Sequence, residues 1–245
     1  MRRLFLTALL CLVPVVAGAR ASVLLKGRAG LQTENSGGAF KCDYLRLTVS
    51  GSINDRLSYV VRQRLNKPIP SDNPLAATDY LNLTWRKGDW ELSGGKNYIT
   101  CGDFDYLSSS CDIYMRPVFF NGCGGMYNYV VHGARYFGTE KLVLQFGNSF
   151  FSLKPSNLLG GSVFLRGRQG NWEHAYSLNL FERGKGLCNC FVGFGNRFHL
   201  GEAVLDLGFM PRFDMSALRL FRDLSTVVKL RFPLSQRVNL LAKAT

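Results

Sequence analysis

Between Tyr44 and Tyr98 the sequence alternates apolar and polar residues over several consecutive stretches, and few folds can use such a chain. Tyr44-Leu-Arg-Leu-Thr-Val-Ser50 sets Leu45, Leu47 and Val49 against Tyr44, Arg46, Thr48 and Ser50. After a tight Asn54-Asp-Arg56 link, Leu57 to Arg64 sets Leu57, Tyr59 and Val61 against Arg62 and Arg64. Beyond a proline-rich loop, Asp79 to Arg86 opposes Leu81, Leu83 and Trp85 to Asn82, Thr84 and Arg86, and a Lys87-Gly-Asp89 turn leads into Trp90 to Lys96. Side chains switch faces at every residue of a strand, so each ribbon has one greasy face and one that carries arginine. A soluble sheet can share this pattern. Long strands, an alternation of short turns with long loops, and an export signal favour a membrane wall.

The N-terminus supplies that signal. Arg2 and Arg3 form a positive start, Leu4 to Val16 an apolar stretch, and Ala17-Gly-Ala19 or Ala19-Arg-Ala21 a cleavage site, so residues 1–21 are expected to be removed. The apolar stretch is short for a spanning helix, and no later run is long enough. If the mature chain, 22–245, sits in a membrane, it does so as a β-barrel. The 26 glycines and 13% aromatic residues suit such a fold. A net charge of +13 admits nucleic acid, acidic lipid or small anions as partners. The basic residues are scattered singly along alternating strands, without the cluster of a nucleic-acid footprint, so no nucleic-acid partner is expected.

Further strands are expected before and after the central group. Val23 to Leu31 places Lys26 and Arg28 opposite Val23 and Leu25, and Asn35-Ser-Gly-Gly38 signals a turn. Residues 99–125 lose the alternation. Their length predicts a functional loop, and Phe104, Tyr106, Tyr114, Phe119 and Phe120 predict that it is ordered and folded inward. Strands resume at 126–137, 141–151, 159–168, 172–182, 187–198, 202–210, 224–232 and 236–242. The expected fold is all-β, an antiparallel transmembrane barrel of about 12 or more strands.

Tyr44-Leu-Arg-Leu, Arg62-Gln-Arg-Leu-Asn-Lys-Pro68, Asp79-Tyr-Leu-Asn-Leu-Thr-Trp85 and Gly94-Gly-Lys96 resemble outer-membrane porins of the phosphate-selective O/P type, in the form found in Bacteroides-like bacteria. The loop residues Phe104-Asp-Tyr106, Cys111-Asp-Ile-Tyr114 and Phe119-Phe-Asn121 are similar to that group's segment after the fifth strand. The resemblance runs from about residue 24 to 182 and weakens beyond. It implies an outer-membrane channel that favours anions, a homotrimer, and insertion by the barrel-assembly machinery. Such porins close with about sixteen strands and end in an aromatic residue. This sequence ends in Leu241-Ala-Lys-Ala-Thr245, so a smaller barrel or a shortened product is expected.

The residues expected to line the lumen and meet anions are Lys26, Arg28, Arg46, Arg62, Arg64, Arg86, Arg166, Arg168, Lys229 and Arg231. Guanidinium groups along a wet pore lower the barrier for anions, and their fork matches phosphate or carboxylate oxygens. The plainer expectation for any single one is an ion pair with an inward acid such as Glu91, Asp79 or Asp206. Lys96, on the apolar side of its strand by parity, is expected to snorkel at the rim. Tyr59, Trp85, Trp90, Tyr98, Tyr127 and Trp172 fall near strand ends, as aromatic girdles do. Disulfides are plausible among Cys101, Cys111 and Cys123 in an exported chain, while Cys188 and Cys190 share one face as small wall residues. No cysteine–histidine spacing suits a metal. No cofactor is expected, and no serine, histidine and orienting group come together for catalysis, His174 lying opposite Ser177 and Asn179. Two other functions fit the same pattern: a secreted or surface β-sandwich for ligand binding or adhesion, and a truncated, non-conducting porin remnant.

Overall fold

The computed structural model describes residues 21–34, 37–69, 75–107, 127–149, 158–184, 187–215, 219–233 and 239–244. All of the expected export signal but Ala21, and the loop after Leu107 with Cys111 and Cys123, lie outside them. Two compact units divide the chain, residues 1–97 and 98–245.

The first unit carries β1 (Ala21–Glu34), β2 (Gly37–Ser52), β3 (Leu57–Arg64), β4 (Thr78–Lys87) and β5 (Trp90–Tyr98). Each pairs antiparallel with the next in the chain. The second unit opens with Tyr98 and a single helical turn, α1 (Phe104–Leu107). It then carries β6 (Tyr127–Phe137), β7 (Glu140–Asn148), β8 (Leu159–Gln169), β9 (Trp172–Gly184), β10 (Leu187–Leu200), β11 (Ala203–Asp214), β12 (Arg219–Pro233) and β13 (Asn239–Ala244). These too pair antiparallel in chain order. Thirteen strands among the described residues meet the expected dozen or more.

Two-residue turns join β4 to β5, β6 to β7, β8 to β9 and β10 to β11. In each the first turn residue is a glycine with φ between +55° and +63°: Gly88, Gly138, Gly170 and Gly201. That positive φ matches the turn to the right-handed twist of the flanking strands. Longer connections, such as 65–77 and 99–126, join the opposite strand ends.

The alternation read from sequence becomes two chemically distinct faces. Leu81, Leu83, Trp85 and Leu92 stand exposed on one side of β4 and β5. Leu144, Phe146, Val163, Leu178, Leu180, Phe194, Phe209 and Val228 do the same across β7 to β12. The opposite side of the second unit holds the buried cluster. Ile99 and Cys101, from the segment leaving β5, pack with Val130, Phe181, Phe191 and Met210. Phe104 packs with Ala134, Val143, Phe164 and Ala175.

A soluble sandwich would bury its apolar faces beneath a second layer. Leu83 and Leu144 are instead 51% and 55% exposed. So much contiguous apolar surface is a liability in water and a necessity in hydrocarbon. Depth should therefore set the effect of a charge. Leu144→Arg, at the middle of β7, is expected to cost about 2–4 kcal/mol, and Leu200→Arg, beside a turn, about 0–1 kcal/mol. Denaturant titration of vesicle-inserted protein checks both, and equal effects would remove the lipid-facing assignment.

Two local departures from simple alternation matter. Arg62 pairs with Tyr80 while Gln63 pairs with Thr78, leaving Asp79 as an extra residue in a bulge. The bulge turns the Asp79 carboxylate to the arginine-bearing face, where strict parity with Leu81 would have sent it the other way. Lys96 is not a snorkelling rim residue. It is buried, and its Nζ donates to the Leu75 carbonyl at 2.5 Å, because residues 75–77 fold over that end of β5.

Candidate functional site: the arginine-bearing faces

In the first unit the hydrogen-bond register lines up basic residues directly across strands. Lys26 of β1 stands opposite Arg46 of β2, which stands opposite Arg64 of β3. Arg28 pairs with Tyr44, and Arg62 lies between Thr48 and Tyr80. Like charges placed opposite one another destabilise a sheet unless something compensates. Here the bulged Asp79 does. Its carboxylate accepts from Arg64 Nε at 2.6 Å and lies 3.3 Å from Arg46 Nε. Aromatic rings hold the others. The Arg46 and Arg28 guanidinium carbons lie 4.8 and 5.5 Å from the Tyr44 centroid, and that of Arg62 lies 4.6 Å above Tyr80. Arg62 Nε also donates to Thr48 Oγ1 at 3.0 Å. Arg86, at the turn end, is paired with Glu91.

The second unit is organised differently, around acids. Glu173 accepts from His199 Nε2 at 2.8 Å and lies within 3.8–3.9 Å of Arg166, Arg168 and Arg197. Asp206 receives two bonds from Arg197, at 2.6 and 3.0 Å, and has Arg231 at 3.6 Å. Lys229 is buried and lines a small cleft with Asp103, Phe104, Asp206 and Val227. The Arg197 guanidinium covers the Phe104 ring at 4.3 Å, and Arg166 lies 5.9 Å from it.

The segment 98–107 is seated on this face by its backbone. Gly102 N–H donates to Ser177 Oγ at 2.9 Å, and Ser177 Oγ–H donates to the Gly102 carbonyl at 3.1 Å. Thr100 N–H donates to Gln145 Oε1 at 2.9 Å, and Ser162 donates to the Thr100 carbonyl at 3.1 Å. Room comes from glycine. A Cβ on Gly193 would stand 2.6 Å from the Gly102 carbonyl oxygen, and one on Gly195 3.0 Å from the Phe104 nitrogen.

All ten basic residues singled out in the sequence lie on the arginine-bearing face of their own unit, by strand register. The plain expectation of ion pairing holds for Arg46 and Arg64 with Asp79, Arg86 with Glu91, and Arg231 with Asp206. Sequence reasoning missed Arg197, Glu173 and His199. Their signal was available, since Arg197 and His199 share parity with Gly193 and Gly195, and Glu173 with Ser177.

On the apolar side, Trp172 and Tyr176 flank His174 at ring distances of 5.0 and 5.2 Å. Both donate to Asn196 Oδ1, at 3.0 and 2.9 Å. His174 meets Glu140 at 2.7 Å, across the bare backbone of Gly167. Ser177 faces away from it, bonded to Gly102 and Asn179. Among the described residues, no group of three or more His, Cys, Asp or Glu could hold a metal.

No family model and no curated protein matches the sequence. Solved structures do. OmpT, an outer membrane protein of Vibrio cholerae folded in vitro, is 12% identical and superposes with a TM-score of 0.59, over 91% of this chain and 73% of that one. Its variant lacking loop L8 gives 0.61 at 12% identity, over 91% and 80%. Likeness at this identity concerns fold, and together with the exposed apolar faces it identifies the chain as an all-β, antiparallel transmembrane β-barrel.

Proposed function

We propose that the chain, once exported, resides in the outer membrane and forms a porin-like channel for passive diffusion of small anions, phosphate or similar. The observation that carries this reading is the cross-strand row Lys26–Arg46–Arg64 with Arg28 and Arg62 beside it. Among the described side chains, six basic residues share that face with two carboxylates, Asp79 and Glu91. A wet lumen with this imbalance lowers the barrier for anions and raises it for cations. In the second unit Arg166, Arg168, Arg197, Lys229 and Arg231 gather around Glu173, Asp206 and Asp103, which adds to the same sign.

The O/P-type resemblance supports a phosphate-like solute, assembly as a homotrimer and insertion by the barrel-assembly machinery. One barrel over 22–245, with the segment 98–107 narrowing its lumen, is the domain reading that goes with it. The chain acts without catalysis. Among the described residues, Ser177 and Asn179 lie on one face and His174 on the other, and Ser177 is occupied by the Gly102 backbone. Planar-bilayer recordings of refolded protein in a salt gradient test the proposal. A reversal potential on the anion side is expected. A cation-side potential, or correctly folded protein that opens no channels, would overturn it, the latter leaving the non-conducting remnant.

A further inference from the structure

We propose that Tyr44 and Tyr80 are positioning residues of the anion path: uncharged rings whose faces hold guanidinium groups in place, so that selectivity depends on them as well as on the charges. The inference rests on the channel reading above and deepens it. Tyr44 is 6% exposed, although it lies on the polar face of β2. Arg46, two residues on, and Arg28, its cross-strand partner, lay their guanidinium carbons 4.8 and 5.5 Å from the ring centroid. Tyr80 repeats the arrangement with Arg62, its own cross-strand partner, at 4.6 Å.

Arginine on a strand has a long stem and many rotamers. A guanidinium resting on an aromatic face keeps its charge and its in-plane N–H edge while losing that freedom beforehand. Arg62 shows the result in its simplest form. Its guanidinium carbon lies over the Tyr80 ring, and Nε, the guanidinium nitrogen nearest the stem, is tied to Thr48 Oγ1 at 3.0 Å. The terminal nitrogens are the distal end of a side chain fixed at two points. A phosphate or carboxylate oxygen meeting such a fork finds donors already oriented, which mobile charges of the same number would not offer.

The test separates ring from charge. Tyr44→Phe keeps the face and Tyr44→Leu removes it, and no formal charge changes in either. The same pair at Tyr80 provides a second, independent site should Tyr44→Leu fail to fold, judged by heat-dependent gel migration. In bilayers, the Phe variants are expected to match wild type. The Leu variants are expected to lose about two- to fivefold in anion-to-cation permeability ratio, and to bind phosphate, read as block of the chloride current, more weakly by a similar factor, the size of one exposed cation–π contact. Leu variants that keep both values, in a channel that is anion-selective in wild type, would overturn the positioning role and leave the function standing. A wild-type channel without anion preference would overturn both.

Discussion

Replacing Arg62 and Arg64 together by glutamate is expected to turn the channel's preference from anions to cations. The two residues sit on one face of β3, in register with Thr48 and Arg46 of β2. Each substitution exchanges a positive for a negative charge. A unit charge about 10 Å from an ion in water acts on it with about 0.4 kcal/mol. Several such changes on one face approach about 1.4 kcal/mol, or roughly tenfold in the permeability ratio. Neutral Arg62→Gln with Arg64→Gln should give about half that effect. The shift should shrink in concentrated salt, because the screening length falls from about 10 Å at 0.1 M to about 3 Å at 1 M.

Geometry argues that the effect of the pair will exceed that of Arg166 and Arg168. Those two lie near Glu173, which already receives His199 and has Arg197 within reach. Charge there is shared within a network around one acid, whereas of the β3 pair only Arg64 meets a carboxylate, Asp79, and Arg62 is held by a ring and a hydroxyl. Reversal potentials measured in a gradient of potassium chloride read the result directly. A potential that does not move in the glutamate pair would mean that these side chains stand away from the conduction path.

Much of this arrangement was legible in the sequence, because membrane strands must alternate. Leu57–Arg64 was read to the residue, and Arg62 and Arg64 stand in register with Thr48 and Arg46 as their parity requires. Strand ends were less legible. Gly37-Gly38-Ala39 has no alternation, yet β2 runs through it, paired with β1. Asp79, rightly expected to face inward, illustrates a second limit in how it comes to do so. A bulge adds one residue to one strand, and nothing in Thr-Asp-Tyr-Leu announces which residue is added. Lys96 illustrates a third. Parity gave its face, but the cover provided by residues 75–77 is a contact over some twenty positions that no local pattern encodes. The same holds for the seat of the segment 98–107. Gly102 and Ser177 are 75 residues apart, and only the fold brings them together.

That seat yields the last expected result, an opened lumen in Gly193→Leu. Gly193 lies on the inner face of β10, opposite Ser177 of β9. A side chain there meets the Gly102 carbonyl carbon at 2.7 Å and Ser177 Oγ at 2.6 Å, both held by the bonds that fix the segment. Backbone cannot yield as a flexible side chain can, so the segment must lift or the strand must bend. Overpacking of this kind costs about 1–3 kcal/mol. Strand β10 is paired with β9 through Val192 and Gly193 and with β11 on either side of them, whereas the segment is held by a few hydrogen bonds and by Ile99, Cys101 and Phe104. The segment is therefore the part that moves. With it lifted, a wider and wetter lumen should conduct roughly twofold more or better and discriminate less between ions. Ser177→Ala, which removes the hydroxyl without adding bulk, should loosen the same segment and raise the open-channel noise with a smaller change in conductance. Folded Gly193→Leu channels of wild-type conductance would show that the segment does not narrow the path.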